Sequence, residues 1–279
     1  KAECTWDGFI FIFIFDNPMP GLVEGQTIAL RAEDGTTHLL TLEGGSRKVK
    51  GLGVIDPLLT LSGKKPGDTI KLGVRTFTIL PPRLPELIGG MKRTAQTISA
   101  KDAGFFITRL GIGESDVVVE AGFGSGGLSL HLLRVLGSKG KLISVENRED
   151  HAQTGLANVE SALKAWGGTT QHSCIMGDIV EVAEQLPQDI DAIILDLPDH
   201  VAAINAISGH LKQGGRIGCY CPVSSQLEAA IEACENAGLK IDWAGELMQR
   251  EWGRASKGGM RPVNGPFGHT AFLLVALKI

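Results

Sequence analysis

Three carboxylates each close a short apolar run: Glu146 ends "KLISVE", Asp178 ends "HSCIMGD", and Asp196 interrupts "DAIILDLPDH" just ahead of a proline. In open α/β sheets, ligands lie beyond the carboxyl ends of the strands, so an acid in that position faces whatever binds there. A carboxylate only accepts hydrogen bonds, and its two oxygens can take both hydroxyls of a ribose. Glu146 suits that task, the alternative being a solvated charge ahead of a helix. Asp178 can accept from an exocyclic amino group and is equally an N-cap for "IVEVAEQL"; the two roles are compatible. Upstream, "VVVEAGFGSGGLSL" from Val117 to Leu130 reads as a strand, a glycine turn and a helix. Glycines let the backbone turn sharply and approach a ligand, while the helix start offers unpaired N–H groups.

The glycine loop fits two patterns. Gly122, Gly124 and Gly127 satisfy the dinucleotide spacing G-x-G-x-x-G, and Glu120 to Gly126 satisfies the S-adenosylmethionine loop of methyltransferases, so the local motif does not decide. The surrounding elements do. From Asp116 onward strand-like and helix-like segments alternate, which implies parallel strands with crossover helices. After "SSQLEAAIEACENAGL" come two strands, "IDWAGELMQREWG" and "TAFLLVALKI", with no helix between them, so they should be antiparallel. A sheet that begins with a glycine loop and closes in that way is the seven-stranded plan of S-adenosylmethionine-dependent methyltransferases; a dinucleotide fold usually continues with another β-α unit. The expected fold is α/β, a seven-stranded Rossmann-like sheet over residues 86–279 preceded by a small β domain over 1–85. In that β domain "TIALRAEDGTTHLLTLEGG" reads as a hairpin about Asp34-Gly35, "DTIKLGVRTFTIL" alternates likewise, and "PPRLPEL" reads as a linker.

The 279 residues are 43% hydrophobic, enough for a sizeable core, and a formal charge of −4 argues against a wholly basic nucleic-acid binder. The charge is uneven, however. Between Gly44 and Arg93 stand ten basic residues, Arg47 to Arg93, against Asp56, Asp68 and Glu86 alone. That excess suits a phosphate backbone, the plainer reading being a lysine-decorated loop surface. The five cysteines, Cys4, Cys174, Cys219, Cys221 and Cys234, form no CxxC pair and read as reduced core residues of a cytoplasmic protein, with no metal site expected. The run Phe9–Phe15 is far shorter than the roughly 20 residues of a membrane span and reads as a buried strand.

Asp196 carries the most specific chemistry. Methyl transfer to an adenine ring nitrogen needs a neutral, well-aimed lone pair and an acceptor for the exocyclic amino protons. A carboxylate at the pocket supplies that acceptor, raises the nucleophilicity of the ring and orients the base.

Most of the chain resembles the tRNA adenine-58 N1-methyltransferases of the TrmI type. "MKRTAQTISAKDAGFFITRLGI" is similar to the family's lead-in segment, "EAGFGSGGLSL" to its cofactor loop, "VENREDH" to its ribose segment, "LDLPDH" to its catalytic strand end and "GHTAFLLVALKI" to its final strand. The resemblance implies methyl transfer from S-adenosylmethionine to N1 of adenosine 58 in the tRNA T-loop, by a homotetramer or a heteromer with a non-catalytic paralogue, the small β domain serving tRNA binding or assembly. It also implies site roles: Gln96, Gly122, Gly124, Ser125, Gly126 and Leu128 at the cofactor, Glu146 on its ribose, His151 and Asp178 beside its adenine, and Asp196 as the catalytic carboxylate. Taken alone, His151 reads as a solvated helix histidine. Two departures touch the acceptor pocket: the family's tyrosine-proline is here Ser99-Ala100, and its D-L-P-x-P-W is here Asp196-Leu-Pro198-Asp199-His200-Val201. Competing readings are a non-catalytic tRNA-binding subunit, a methyltransferase acting on isoaspartyl residues or a small molecule and, more remotely, a dehydrogenase.

Overall fold

The computed structural model describes residues 21–255, 258–263 and 268–279; the run Phe9–Phe15 and Cys4 lie outside them. The first unit holds β1 (Thr27–Ala32), β2 (Thr37–Thr41), β3 (Arg47–Val49), β4 (Gly53–Ile55), α1 (Pro57–Thr60), β5 (Thr69–Leu72) and β6 (Arg75–Leu80). Four of these strands form an antiparallel sheet in the order β2-β1-β6-β5, while β3 and β4 pair as a separate hairpin. The expected hairpin about Asp34 is present, its turn tied by Thr36 N–H donating to Asp34 Oδ1 at 2.9 Å. Ile28, Leu30, Leu40, Phe77 and Ile79 make its buried core.

The proline-rich stretch is only partly a linker. Pro81 and Pro82 lie outside any regular element, but Leu84–Gly90 forms a helix, α2. Pro85 sits in the first turn, where its missing N–H costs nothing, and Glu86 accepts from the Arg83 N–H at 3.2 Å. Leu87 is buried among residues of the second unit.

That unit comprises α3 (Ala100–Leu110), β7 (Val117–Ala121), α4 (Gly127–Leu136), β8 (Lys141–Glu146), α5 (Glu149–Trp166), β9 (Gln171–Met176), β10 (Ile190–Leu195), α6 (His200–Ile207), β11 (Leu211–Cys221), α7 (Ser224–Asn236), β12 (Leu239–Glu246), β13 (Trp252–Arg254), β14 (Met260–Pro262) and β15 (Phe272–Lys278). Seven strands form one sheet in the order β12-β15-β11-β10-β7-β8-β9. β15 runs antiparallel to both its neighbours, as the missing crossover helix requires, and the β13–β14 hairpin lies in the stretch between β12 and β15.

Side chains alternate across the central strands and fill two cores. Val119, Ile193, Leu195 and Ile217 face α6 and α7, whereas Val118, Ile194 and Tyr220 pack with residues of α3, α4 and α5. Cys219, Cys221 and Cys234 are buried in the first of these cores. One expected helix is absent: "IVEVAEQL" forms turns and a single 3₁₀ turn, Ala183–Gln185. Asp178 Oδ1 accepts from Val180 N–H at 2.9 Å, an Asx turn that competes with regular helix.

Phe106 on α3 is fully buried in the second core. Its truncation to alanine is expected to cost about 3–5 kcal/mol of unfolding free energy, read from denaturant melts; a loss below about 1 kcal/mol would contradict this packing.

Candidate functional site

The sheet reverses its winding direction between β7 and β10, since β8 and β9 extend it on one side and β11 on the other. Ligands bind at such switch points. Here the backbones diverge after Ala121 and Leu195, and the gap opens into a cleft of about 540 Å³. Its walls come from Ala95–Ile98 ahead of α3, the Gly122–Ser125 loop, Glu146–Arg148, Gly177–Val180 and the Asp196–Asp199 turn.

Of the residues singled out in the sequence, Gln96, Gly122, Gly124, Ser125, Leu128, Glu146, His151, Asp178 and Asp196 all line this cleft. Gly126 does not. It precedes α4 in the left-handed region at φ +76°, and a Cβ there would stand 3.2 Å from the Gly155 carbonyl and 3.3 Å from the Phe123 ring. Its role is to let the loop pass between α5 and that ring. Gly155 is the matching concession on α5, because a Cβ on it would fall 2.5 Å from Phe123.

Glu146 is held in place by its surroundings. Its Oε2 accepts from Gly124 N–H at 2.8 Å and its Oε1 from Arg148 N–H at 3.0 Å, leaving lone pairs on both oxygens for a ligand. His151, on the first turn of α5, lies 4.0 Å from Oε2 with its side chain only 13% exposed, so it is a wall of the cleft rather than a solvated residue. The buried Ser125 hydroxyl accepts from the N–H groups of Thr94 and Ala95, each at 3.0 Å. It binds the glycine loop to the segment carrying Gln96.

Asp196 follows the last residue of β10. Its backbone is tied to the neighbouring strand end, with Asp196 N–H donating to the Ala121 carbonyl and Gly122 N–H donating to the Asp196 carbonyl. Its carboxylate accepts no hydrogen bond from any described residue, and burial pushes its pKa up to about 6. An acceptor left without a partner at a cleft wall is poised for a donor on a ligand. Beneath the loop, Glu120 is buried and pushed up to about 7 by desolvation, opposed by hydroxyl donors from Ser129 and from Ser144 at 2.6 Å.

The two departures at the acceptor side have structural explanations. Ser99 Oγ donates to Asp102 Oδ2 at 2.9 Å and caps α3, while Lys101 Nζ bridges Asp102 Oδ1 and Thr270 Oγ1 at 2.6 and 2.7 Å. The hydroxyl therefore closes the helix end. His200 is buried, with Nε2 3.8 Å from Cys221 Sγ, so this imidazole fills the interior behind α6.

Sequence reasoning missed Asn158. From the middle of α5, its Oδ1 accepts from Lys92 N–H at 3.1 Å, and its Nδ2 donates to the carbonyls of Lys92 at 2.8 Å and Ser125 at 2.9 Å. The available signal was an asparagine deep inside a helix, a position its propensity disfavours.

A family model described as the tRNA methyltransferase complex GCD14 subunit matches residues 79–257. The chain belongs to this family. Among similar proteins is the tRNA (adenine(57)-N(1)/adenine(58)-N(1))-methyltransferase TrmI of Methanocaldococcus jannaschii, 31% identical over 72% of this chain and 78% of the relative. The tRNA (adenine(58)-N(1))-methyltransferase TrmI of Thermus thermophilus is 31% identical over 76% of this chain and 81% of its own. A solved structure described as a SAM-dependent O-methyltransferase from Thermotoga maritima superposes with a TM-score of 0.76 at 30% identity, covering 92% of this chain and 94% of that one. The fold is that of S-adenosylmethionine-dependent methyltransferases, and the GCD14-family match spans every wall of the cleft.

The residues present fit that cofactor. Two acceptors with lone pairs to spare, Glu146 and Asp196, flank a glycine cradle at the start of α4, and Ile179, Val180 and Leu197 add apolar lining. Glu146→Ala is expected to weaken S-adenosylhomocysteine binding by about 10- to 100-fold in calorimetry, the loss of hydrogen bonds to a charged acceptor. Unchanged affinity would remove Glu146 from the cofactor site.

Proposed function

We propose that this protein transfers a methyl group from S-adenosylmethionine to N1 of adenosine 58 in the tRNA T-loop. The observation that carries the reading is the partnerless, half-buried carboxylate of Asp196 at the switch point of a GCD14-family chain. When bound, S-adenosylmethionine supplies an electrophilic methyl group whose leaving group needs no proton. The residues of this chain do the rest. Glu146 accepts from the ribose hydroxyls, and Asp178 and His151 flank the adenine side. Asp196 accepts from the exocyclic amino group of the target, holding the base so that the N1 lone pair is aimed. It also stabilises the positive charge that the adenine acquires when it takes the methyl group. No general base is required, since N1 carries no proton to lose.

The basic stretch from Arg47 to Arg93 supports a tRNA substrate. Arg47 and Arg75 are ion-paired with Glu43 and Asp34, while the other eight of the ten basic residues between Gly44 and Arg93 make no ion pair with the described residues. Charges left without partners are the ones free to replace counterions on a phosphate backbone. The base itself must leave its tertiary pairing to reach Asp196. Assembly as a homotetramer, or with a non-catalytic paralogue, is supported by exposed Met248, Trp252, Met260 and Val263 in and beside the β13–β14 hairpin. A cytoplasmic location belongs to the same reading; among the described residues no helix is long and apolar enough to cross a membrane.

Methyl incorporation from labelled S-adenosylmethionine into unmodified tRNA transcript tests this directly, with a transcript substituted at position 58 as control. Label is expected in the first and absent from the second; equal label in both would exclude the site, and label in neither would point to another acceptor or to a required partner subunit. Asp196→Asn is expected to lower kcat by about 10²- to 10⁴-fold, because the amide has lost the charge and half of the acceptor capacity. The ionised carboxylate is the working form, so kcat/KM should rise with pH through about 6 and level off above. A flat profile from pH 5 to 8 would mean that Asp196 does not act in this way.

A further inference from the structure

Two walls of the cleft are loops with no strand pairing of their own, Ala95–Ile98 and Gly122–Ser125. Their separation sets the width of the cofactor site, and they come close: a Cβ on Gly124 would stand 3.5 Å from that of Ala95. Neither loop is fixed by helix or sheet hydrogen bonds across this gap. Two side chains join them instead. Ser125 ties the loops directly through Thr94 and Ala95, and Asn158 holds Lys92, three residues ahead of Ala95 on the lead-in segment, to the Ser125 carbonyl from behind.

The Asn158 carboxamide behaves like a third peptide group. It pairs with both the N–H and the C=O of Lys92, as a neighbouring strand would, and its second amide hydrogen reaches the Ser125 carbonyl. Asn158 does not line the cofactor cleft; it faces a separate recess of about 250 Å³ shared with Leu39, Gly90, Met91 and Lys92. Its anchor, α5, is packed into the second core through Val159 and Ala162, so the grip is made from a rigid element.

We propose that Asn158 is a positioning residue for the methyl donor: it fixes the distance between the lead-in loop and the glycine loop, and so the shape of the cofactor site. This inference rests on the methyltransferase reading. Asn158 touches neither the cofactor nor the target base, so its loss acts through Gln96, Gly124 and Ser125. The effect belongs in cofactor binding, with the methyl-transfer step at saturation little changed.

The test is calorimetric titration of the full chain with S-adenosylhomocysteine, alongside steady-state methylation of tRNA, for wild type, Asn158→Ala and Asn158→Asp. The alanine variant is expected to bind about 10-fold more weakly and to raise the cofactor KM similarly, with kcat within about 2-fold. The aspartate variant is nearly the same size, yet it places a carboxylate oxygen against the carbonyls of Lys92 and Ser125. It is expected to bind more weakly than the alanine variant, whereas a space-filling role would make aspartate the milder change. Equal affinity in all three proteins, aspartate milder than alanine, or a fall in kcat at constant KM would each overturn the proposal. Should the Asn158 variants fail to melt cooperatively, Ser125→Ala removes the parallel tie and is expected to show the same cofactor-specific loss; wild-type affinity in that variant would overturn it. Failure of the wild-type chain itself to bind S-adenosylhomocysteine would instead remove the methyltransferase reading on which the inference stands.

Discussion

Where β7 and β10 part, two peptide hydrogen bonds cross the divide: Asp196 N–H to the Ala121 carbonyl, and Gly122 N–H to the Asp196 carbonyl. They continue the parallel ladder by one step beyond both strands, and that step contains Asp196 and the first glycine of the loop. The side chain of Asp196 is thus aimed by sheet geometry, at a point where the strands themselves have stopped. Glu146, one strand away, is placed by the same means, since β8 pairs with β7 through Val145 opposite Ala121. Loops alone would not give such accuracy, because their backbones lack ladder partners.

The arrangement carries an electrostatic cost that the sheet must absorb. Burial lifts Glu120 to about 7 and Asp196 to about 6, so the folded chain holds protons that the unfolded chain would have released. Their contribution to stability is therefore fully present only below the ordinary carboxylate range near 4 and is lost as pH rises through 6 and 7. Near neutrality the fold keeps charged or half-charged acids in a poorly solvated place. Ser129 and Ser144 moderate this for Glu120, while Asp196 has no such donor. That asymmetry separates a supporting acid from one reserved for a ligand.

Much of the architecture was legible because strand period, glycine spacing and the missing helix before the last strand are strong local signals. Glu146, Asp178 and Asp196 were readable from one topological rule, that polar residues at parallel strand ends face the cleft. Other features depended on contacts between distant segments. A proline-rich stretch became helix α2 because Leu87 found a core to enter, and "IVEVAEQL" failed as a helix because the Asp178 side chain bonded locally. Gly126 matched the loop pattern yet serves a crossing with Gly155 that no spacing reveals. The replacements at Ser99 and His200 looked like losses at the acceptor pocket; the structure turns one into a helix cap and the other into interior packing.

The position of β15 has a consequence for synthesis. β12 pairs in this sheet only with β15, and β15 itself lies between β12 and β11. A ribosome makes β12 well before β15, so for that interval β12 has no partner strand, and β11 has an open edge on the side away from β10. The emerging chain must carry an unfilled slot through the time needed to translate the β13–β14 hairpin, with apolar β11 residues such as Ile217 and Cys219 beside it. Newly made unpaired edges of this kind are where chains associate wrongly, so the last-made strand closes the sheet and ends its exposure to other nascent chains.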